Sequence, residues 1–290
     1  MKKLGRNDAC WCGSQKKYKH CHEAFDEKLE EAARAGHFIP SHDMIKTPEQ
    51  LEGIRESCKI NIAVLDYVAE HIHAGVTTEE IDQWVYNETT KRGGIPAPLG
   101  YQGFPKSVCT SIDDQVCHGI PSEDVVLKDG DIINVDVSTI YKGYYSDSSR
   151  MFCIGEVSPE KKKLVDVVKE CVELGLEQVK PWGFLGDMAH AVNEHAVKNG
   201  CSVVREIGGH GVGLEFHEEP WVGYIGEPGT GMMMAPGMVF TIEPMVNMGG
   251  CEVYVDDSDG WGVYTEDGRP SAQWEIMVLV TETGHEVLCW

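Results

Sequence analysis

The acids of this chain stand where acids are expensive. Asp136 lies in Ile-Ile-Asn-Val-Asp136-Val, Asp147 in Tyr-Tyr-Ser-Asp147-Ser-Ser, Glu243 in Val-Phe-Thr-Ile-Glu243-Pro and Glu275 in Ala-Gln-Trp-Glu275-Ile. These phrases read as β-strand, with apolar or β-branched residues around the acid. A carboxylate inside such a strand is destabilising unless positive charge meets it. His210, in Gly-Gly-His210-Gly-Val-Gly, adds one imidazole among glycines that leave room for a ligand. Four carboxylates and one imidazole suit hard or borderline divalent cations, and they suffice to bridge two. The chain must then fold so that widely separated strands converge, and two-metal hydrolysis is the chemistry to expect there.

Taken alone, Asp136 and Asp147 would pass as solvated strand-end aspartates. They lie eleven residues apart across Tyr141-Lys142-Gly143. That spacing suits a hairpin that sets both acids on one face. Glu243 and Glu275 are harder to explain without a partner, because their neighbours are almost all apolar.

At 290 residues the chain is long enough for one large domain with an appendage. Its net charge of −22 argues against nucleic acid as the main ligand, since phosphate contacts need a basic face. The charge is uneven. Residues 1–22 carry Lys2, Lys3, Arg6, Lys16, Lys17 and Lys19 against Asp8, a net +5 that leaves −27 for the rest. Eleven cysteines, an odd number, do not make the disulfide set of a secreted domain. No apolar leader or membrane span is apparent, so a reducing cytoplasm is the expected location.

Helix signals are clear. Thr47-Pro48-Glu49-Gln50 combines a cap, a proline at the first position and a capping-box glutamine. Leu51, Ile54, Cys58, Ile62, Leu65, Val68 and Ile72 then keep helical period. Thr77–Glu80 starts a second helix that stops at Gly93-Gly94. Ser158-Pro159-Glu160 starts a third, ending near Pro181, and a fourth runs from about Gly186 to Asn199. Residues 105–153 and those beyond 203 read as strands and turns, mostly short in the first stretch. The order helix, helix, strands occurs twice, which predicts an α+β class with helices packed on a mostly antiparallel sheet.

Several phrases together resemble the type I methionine aminopeptidases: Phe104-Pro-Lys-Ser-Val-Cys109, Val116-Cys-His118-Gly-Ile-Pro121, Asn134-Val-Asp136-Val, Gly209-His210-Gly-Val-Gly213, Phe216-His217-Glu-Glu-Pro220 and Thr241-Ile-Glu243-Pro-Met245. The resemblance covers about residue 40 to the C-terminus. It implies the pita-bread fold, with two pseudo-symmetric halves, in a catalytic domain at 41–290. It also implies that Asp147 and Glu275 bridge two divalent ions (Co, Mn, Fe or Zn), that Asp136 chelates one, and that His210 and Glu243 bind the other. Glu243 would further shuttle a proton. His118 and His217 would contact the substrate backbone and steady the tetrahedral intermediate. Tyr101, Phe104, Cys109, Phe216 and Trp261 would line an apolar pocket for the N-terminal Met of a nascent polypeptide, with a small second residue preferred. Gln102 stands where many relatives carry His. Such an enzyme is expected to be a monomer with no membrane or DNA partner. Xaa-Pro peptidases share the fold and the five ligands, and a non-catalytic binding module is a reading of a different class. Intact ligands and the Phe-His-Glu-Glu-Pro phrase favour the first.

Residues 1–24 form a separate unit. Cys10, Cys12, Cys21 and His22, with His20 as a substitute imidazole, can hold one zinc. So short a unit has no core and needs the metal for order. It resembles the SEC-C zinc motif, which implies protein binding. Its lysines, with Trp11 and Tyr18 exposed, would also suit a ribosome or another protein. Residues 25–40 are expected to act as a charged helical linker.

Overall fold

The computed structural model describes residues 4–290. Lys2 and Lys3 of the basic head lie outside them. Among the described residues five α-helices run α1 Glu23–Arg34, α2 Pro48–His71, α3 Thr78–Lys91, α4 Pro159–Glu177 and α5 Leu185–Lys198. The starts of α2, α3 and α4 are where the cap signals put them. Thr47 and Thr77 each close a full capping box, and the Ser158 hydroxyl accepts from Lys161 N–H.

Among the described residues fifteen strands form four sheets, and every pairing between them is antiparallel. The first sheet holds β1 Ile95–Pro96, β2 Cys109–Ile112, β4 Ile132–Tyr141 and β5 Tyr144–Cys153. The second holds β3 Gln115–Cys117, β11 Val253–Val255 and β12 Val263–Thr265. The third holds β6 Ser202–Val203, β10 Met245–Asn247 and β13 Ser271–Gln273. The fourth holds β7 Gly209–Gly211, β8 Glu218–Val222, β9 Val239–Ile242, β14 Ile276–Val280 and β15 His285–Cys289. The expected short strands of 105–153 include two ten-residue ones, β4 and β5. They are joined by Lys142 and Gly143, both at positive φ, which is the two-residue turn that matches strand twist.

The helix pair α2–α3 packs on the β4–β5 hairpin through Val64, Leu65, Val68, Ile81, Val85, Ile133, Val135 and Val137. The pair α4–α5 packs on the strands of the second half through Val168, Val172, Met188, Val192, Ile242, Val246 and Ile276. This is the α+β, two-halved pita-bread architecture.

The segment expected as a linker is sunk into the body. Leu29 is fully buried and belongs to the same core cluster as α4 and α5, together with Ala32. Phe25 meets Trp182 edge-on at 5.2 Å, and Lys28 Nζ sits 4.5 Å above the same ring. Phe25, Leu29 and Ala32 fall on one helical face, so α1 buries an apolar stripe instead of spanning solvent. The aromatics of the head also differ from expectation. Trp11 Nε1–H and Tyr18 O–H both donate to the buried Asp26 carboxylate, at 3.2 and 2.7 Å, and Trp11 stacks on His42. They hold the head to the body and are not free for a partner. Among the described residues no helix is long and apolar enough to cross a membrane.

Candidate metal centre and catalytic cleft

The β4–β5 hairpin pairs Asp136 with Ser149 and Asp147 with Ser138. Two-residue periodicity then puts both aspartates on one face. The two glutamates enter from strand breaks. Glu243 lies between β9 and β10, and Glu275 between β13 and β14. Before each acid the chain is in one sheet and after it in another: β9 and β14 pair in the fourth, β10 and β13 in the third. Neither glutamate is inside a regular ladder, as its apolar neighbours had suggested. Each occupies the crossing, where the backbone is free to turn the side chain inward. Glu275 also bridges Ser149 across the two halves. His210 comes from β7.

Five groups converge. His210 Nε2 lies 3.7 Å from an Asp147 oxygen and 3.5 Å from Glu243 Oε1. Donor atoms of Asp147, His210 and Glu275 lie within 4.8 Å of one another. Asp136 and Glu243 complete the group at the same cavity floor. Burial pushes the Asp136 carboxyl up to about 7 and that of Glu243 to about 8. Asp147 and Glu275 rise well above the carboxylate range, by burial and by mutual repulsion. His210 is pushed down to about 4, again by burial and next by His217.

These residues fit divalent cations. Asp136 Oδ1 and Glu275 Oε2 are buried without a hydrogen-bond partner among the described residues. His210 Nδ1 lies 2.9 Å from the Gly211 carbonyl, which places the proton there and leaves the Nε2 lone pair facing carboxylate oxygens. Acceptor facing acceptor at this depth calls for positive charge between them. Two divalent ions would match four carboxylates in charge.

The remaining contacts orient the acids. Thr241 Oγ1–H donates to Glu243 Oε1 at 2.7 Å and Gln273 Nε2–H to Oε2 at 3.0 Å. Ser138 Oγ–H donates to Asp147 at 2.8 Å. The Tyr224 hydroxyl, fully buried, accepts from Glu243 N–H at 2.6 Å. Sequence reasoning missed these four. Thr241 was within reach of it, since a hydroxyl two residues before a strand acid shares its face.

Above the acids a cavity of about 660 Å³ opens to solvent. Tyr101, Phe104, Cys109, His118, Phe216, His217 and Trp261 all line it. Phe104 and Trp261 meet edge-on at 5.2 Å, and Tyr101 and Phe216 at 4.8 Å. His118 has φ of +57°, unusual for a residue with a Cβ, and is pushed down to about 4 by burial. His217, lowered by burial too, has Nδ1 2.9 Å from the Tyr101 hydroxyl, and its ring lies 4.2 Å from that of His210. Both outer histidines are thus neutral near pH 7. Gln102, Glu219 and Trp221 line the mouth.

One more pair braces the cleft. Lys46, whose side chain is 1% exposed, pairs with Glu218. The other Glu218 oxygen accepts from Leu214 N–H at 2.6 Å and Glu215 N–H at 3.0 Å, fixing the loop that carries Phe216 and His217.

In the head, Cys10 Sγ lies 3.1 Å from His22 Nδ1, Cys21 Sγ 3.2 Å from the same nitrogen, and Cys12 Sγ 3.6 Å from Cys21 Sγ. A tetrahedron of bonds of about 2.3 Å places sulfurs about 3.8 Å apart, so these four donors fit one zinc. His20 is not among them.

A fold in which two sheet-crossing glutamates meet hairpin aspartates and one histidine defines a metal-dependent hydrolase. The chain belongs to metallopeptidase family M24, whose pattern matches residues 52–282, and residues 6–24 match the SEC-C motif. Methionine aminopeptidases are among its relatives. That of Chlamydia pneumoniae is 44% identical over 98% of both chains, and methionine aminopeptidase A of Synechocystis is 48% identical over 82% of this chain and 94% of its own. The crystal structure of methionine aminopeptidase from Rickettsia prowazekii superposes with a TM-score of 0.83 at 41% identity, covering 85% of this chain and 99% of that one. The prolidase from Pyrococcus furiosus shares the fold, with a TM-score of 0.67 at 24% identity over 85% of this chain and 65% of its own.

Proposed function

We propose that this protein is a dinuclear metalloaminopeptidase that removes the initiator methionine from nascent chains, favouring a small second residue. The observation that carries the reading is the cavity floor. Five ligand groups converge there, with Asp136 Oδ1 and Glu275 Oε2 unanswered, beneath two neutral histidines and beside an apolar recess. Bound divalent ions, Co, Mn, Fe or Zn, would supply the charge that acidifies a water and polarises the scissile carbonyl.

The chain's own residues do the rest. Asp147 and Glu275 would be shared between two ions, Asp136 would hold one, and His210 and Glu243 the other. Thr241 and Gln273 fix the Glu243 carboxylate, which takes a proton from the attacking water and delivers it to the leaving amine. His118 and His217, being neutral, donate hydrogen bonds to the substrate backbone without adding positive charge that would repel the ions. Such donors act on charge that develops in the transition state. Tyr101 orients His217 through its hydroxyl. Phe104, Cys109, Phe216 and Trp261 receive the unbranched thioether. A free amine beside the acids confines cleavage to the first peptide bond.

The test is methionine release from Met-Ala-Ser by metal-stripped protein given back Mn, Co, Fe or Zn, with an Xaa-Pro peptide alongside. Metal-dependent release of Met alone is expected. Cleavage only before proline would move the protein to the prolidase branch, and no cleavage with any metal would defeat the reading.

The head, holding one structural zinc, would bring the enzyme to the ribosome through Lys16, Lys17 and Lys19. Because α1 is part of the core, charge reversal at these lysines is a cleaner test than deletion. Undiminished co-sedimentation with ribosomes at low salt would refute the idea.

A further inference from the structure

Trp221 stands at the mouth of the cleft with an open aromatic face that nothing in the reaction uses. It lies on β8 directly across from His210 on β7, so both side chains leave the same face of the sheet. The ring reaches over Gly208 and Gly223. A Cβ on Gly208 would lie 3.1 Å from its Cζ2, and one on Gly223 would lie 3.2 Å from its Nε1. The indole therefore lies close over two bare stretches of backbone, where a side chain at either glycine would crowd it. At the same time 54% of the residue stays exposed, and it lines the catalytic cavity. Among the described residues no aromatic ring pairs with it.

We infer that Trp221 is a specificity shelf for the side chain of the third residue of the substrate, and that it favours an aromatic or large apolar one there. Gly208 is two residues from His210 along the chain, about 6–7 Å in extended backbone. A substrate held by its first residue over the acids and leaving in extended form covers that distance in two residues. An aromatic side chain arriving there would stack on a surface already fixed in place, so little ordering cost is left to meet. Glu219 accepts from Trp221 N–H through its Oε2 and helps hold this end of β8.

The inference rests on the aminopeptidase reading, and two measurements separate their failures. The first is kcat/KM for Met-Ala-Phe-Ser against Met-Ala-Gly-Ser in the metal-loaded enzyme. The Phe peptide should be preferred about three- to tenfold, mostly through KM. Trp221→Ala should bring the ratio close to one, and Trp221→Phe should keep most of it. A ratio unchanged by Trp221→Ala, or no preference in the parent enzyme, overturns the shelf. The second uses 5-fluorotryptophan-labelled protein, with the Trp221 fluorine resonance assigned by its loss in Trp221→Phe. That resonance should move with the Phe peptide more than with the Gly peptide. If neither peptide is cleaved, the aminopeptidase reading fails while the fluorine signal still decides the shelf. A resonance indifferent to both peptides refutes the shelf, whatever the turnover.

Discussion

Replacing Lys46 with methionine keeps the apolar stem of the side chain and removes its ammonium group. In the folded protein that charge answers Glu218, and Glu218 in turn fixes the backbone at Leu214 and Glu215. Removing one partner of a fully buried pair costs about 3–5 kcal/mol, mostly because the other is stranded. Here Glu218 is 14% exposed and keeps two N–H donors, so part of its hydration returns. A cost of about 2–3 kcal/mol follows, or a fall of roughly 5–10 °C in thermal midpoint. Because the braced loop carries Phe216 and His217, kcat/KM for Met-Ala-Ser should fall with it, by about tenfold or more. The assay is a thermal melt of the metal-loaded protein beside steady-state methionine release. Adding Glu218→Gln to Lys46→Met should recover much of the stability, since no stranded charge remains, but not the activity, since the loop has lost its carboxylate. The reasoning fails if Lys46→Met melts within 1 °C of the parent (a cost of well under 0.5 kcal/mol), or if the double variant melts lower than the single one.

Other outcomes follow from the same geometry. In metal-free protein, burial raises Asp136 to about 7 and Glu243 to about 8. Carboxyls raised in this way add stability below the unfolded pKa of about 4, and lose it as pH climbs through the folded values. The metal-free thermal midpoint should therefore drop between pH 5 and 9, and saturating Mn should abolish that drop; a flat metal-free profile would count against it. Thr241→Val removes the hydroxyl that donates to Glu243 and favours its ionised form. It should lower kcat about three- to tenfold, shift the acid limb of the kcat profile to higher pH and barely change KM, and a change confined to KM would argue otherwise. Cys12→Ser should remove one equivalent of zinc, read by native mass spectrometry, and free Trp11 and Tyr18 from Asp26, read by tryptophan fluorescence. Retained zinc would show that Cys12 is not a ligand.

What could be read without coordinates was whatever depends on near neighbours. Thr47, Thr77 and Ser158 announce helix starts because caps act over three residues. Lys142-Gly143 announces the hairpin, and the hairpin places Asp136 and Asp147 on one face. The four zinc donors of the head lie within thirteen residues, so spacing alone groups them. Among the four acids and one imidazole of the cleft, Glu243 and Glu275 were legible for another reason: each violates the apolar character of its own segment. Glu218 violates nothing locally, and its partner Lys46 lies 172 residues away. Gln273 and Tyr224 are ordinary strand and loop residues until the fold brings them to Glu243. Trp11 and Tyr18 looked like free surface aromatics because Asp26, which takes their donors, sits in a segment that reads as linker.

The position of Glu275 has a bearing on how the floor of the cleft is held together. The acid stands at the crossing between β13 and β14, so its place is set only when the third and fourth sheets have both formed. β15 pairs with β14 and closes behind the cleft: Cys289 Sγ lies 3.1 Å from Ser148 Oγ, and Arg150 reaches the Trp290 backbone oxygen at 2.7 Å. An acid at such a crossing answers to two sheets at once. Whatever loosens either sheet withdraws a carboxylate from the cleft, even where the aromatic recess above it is untouched.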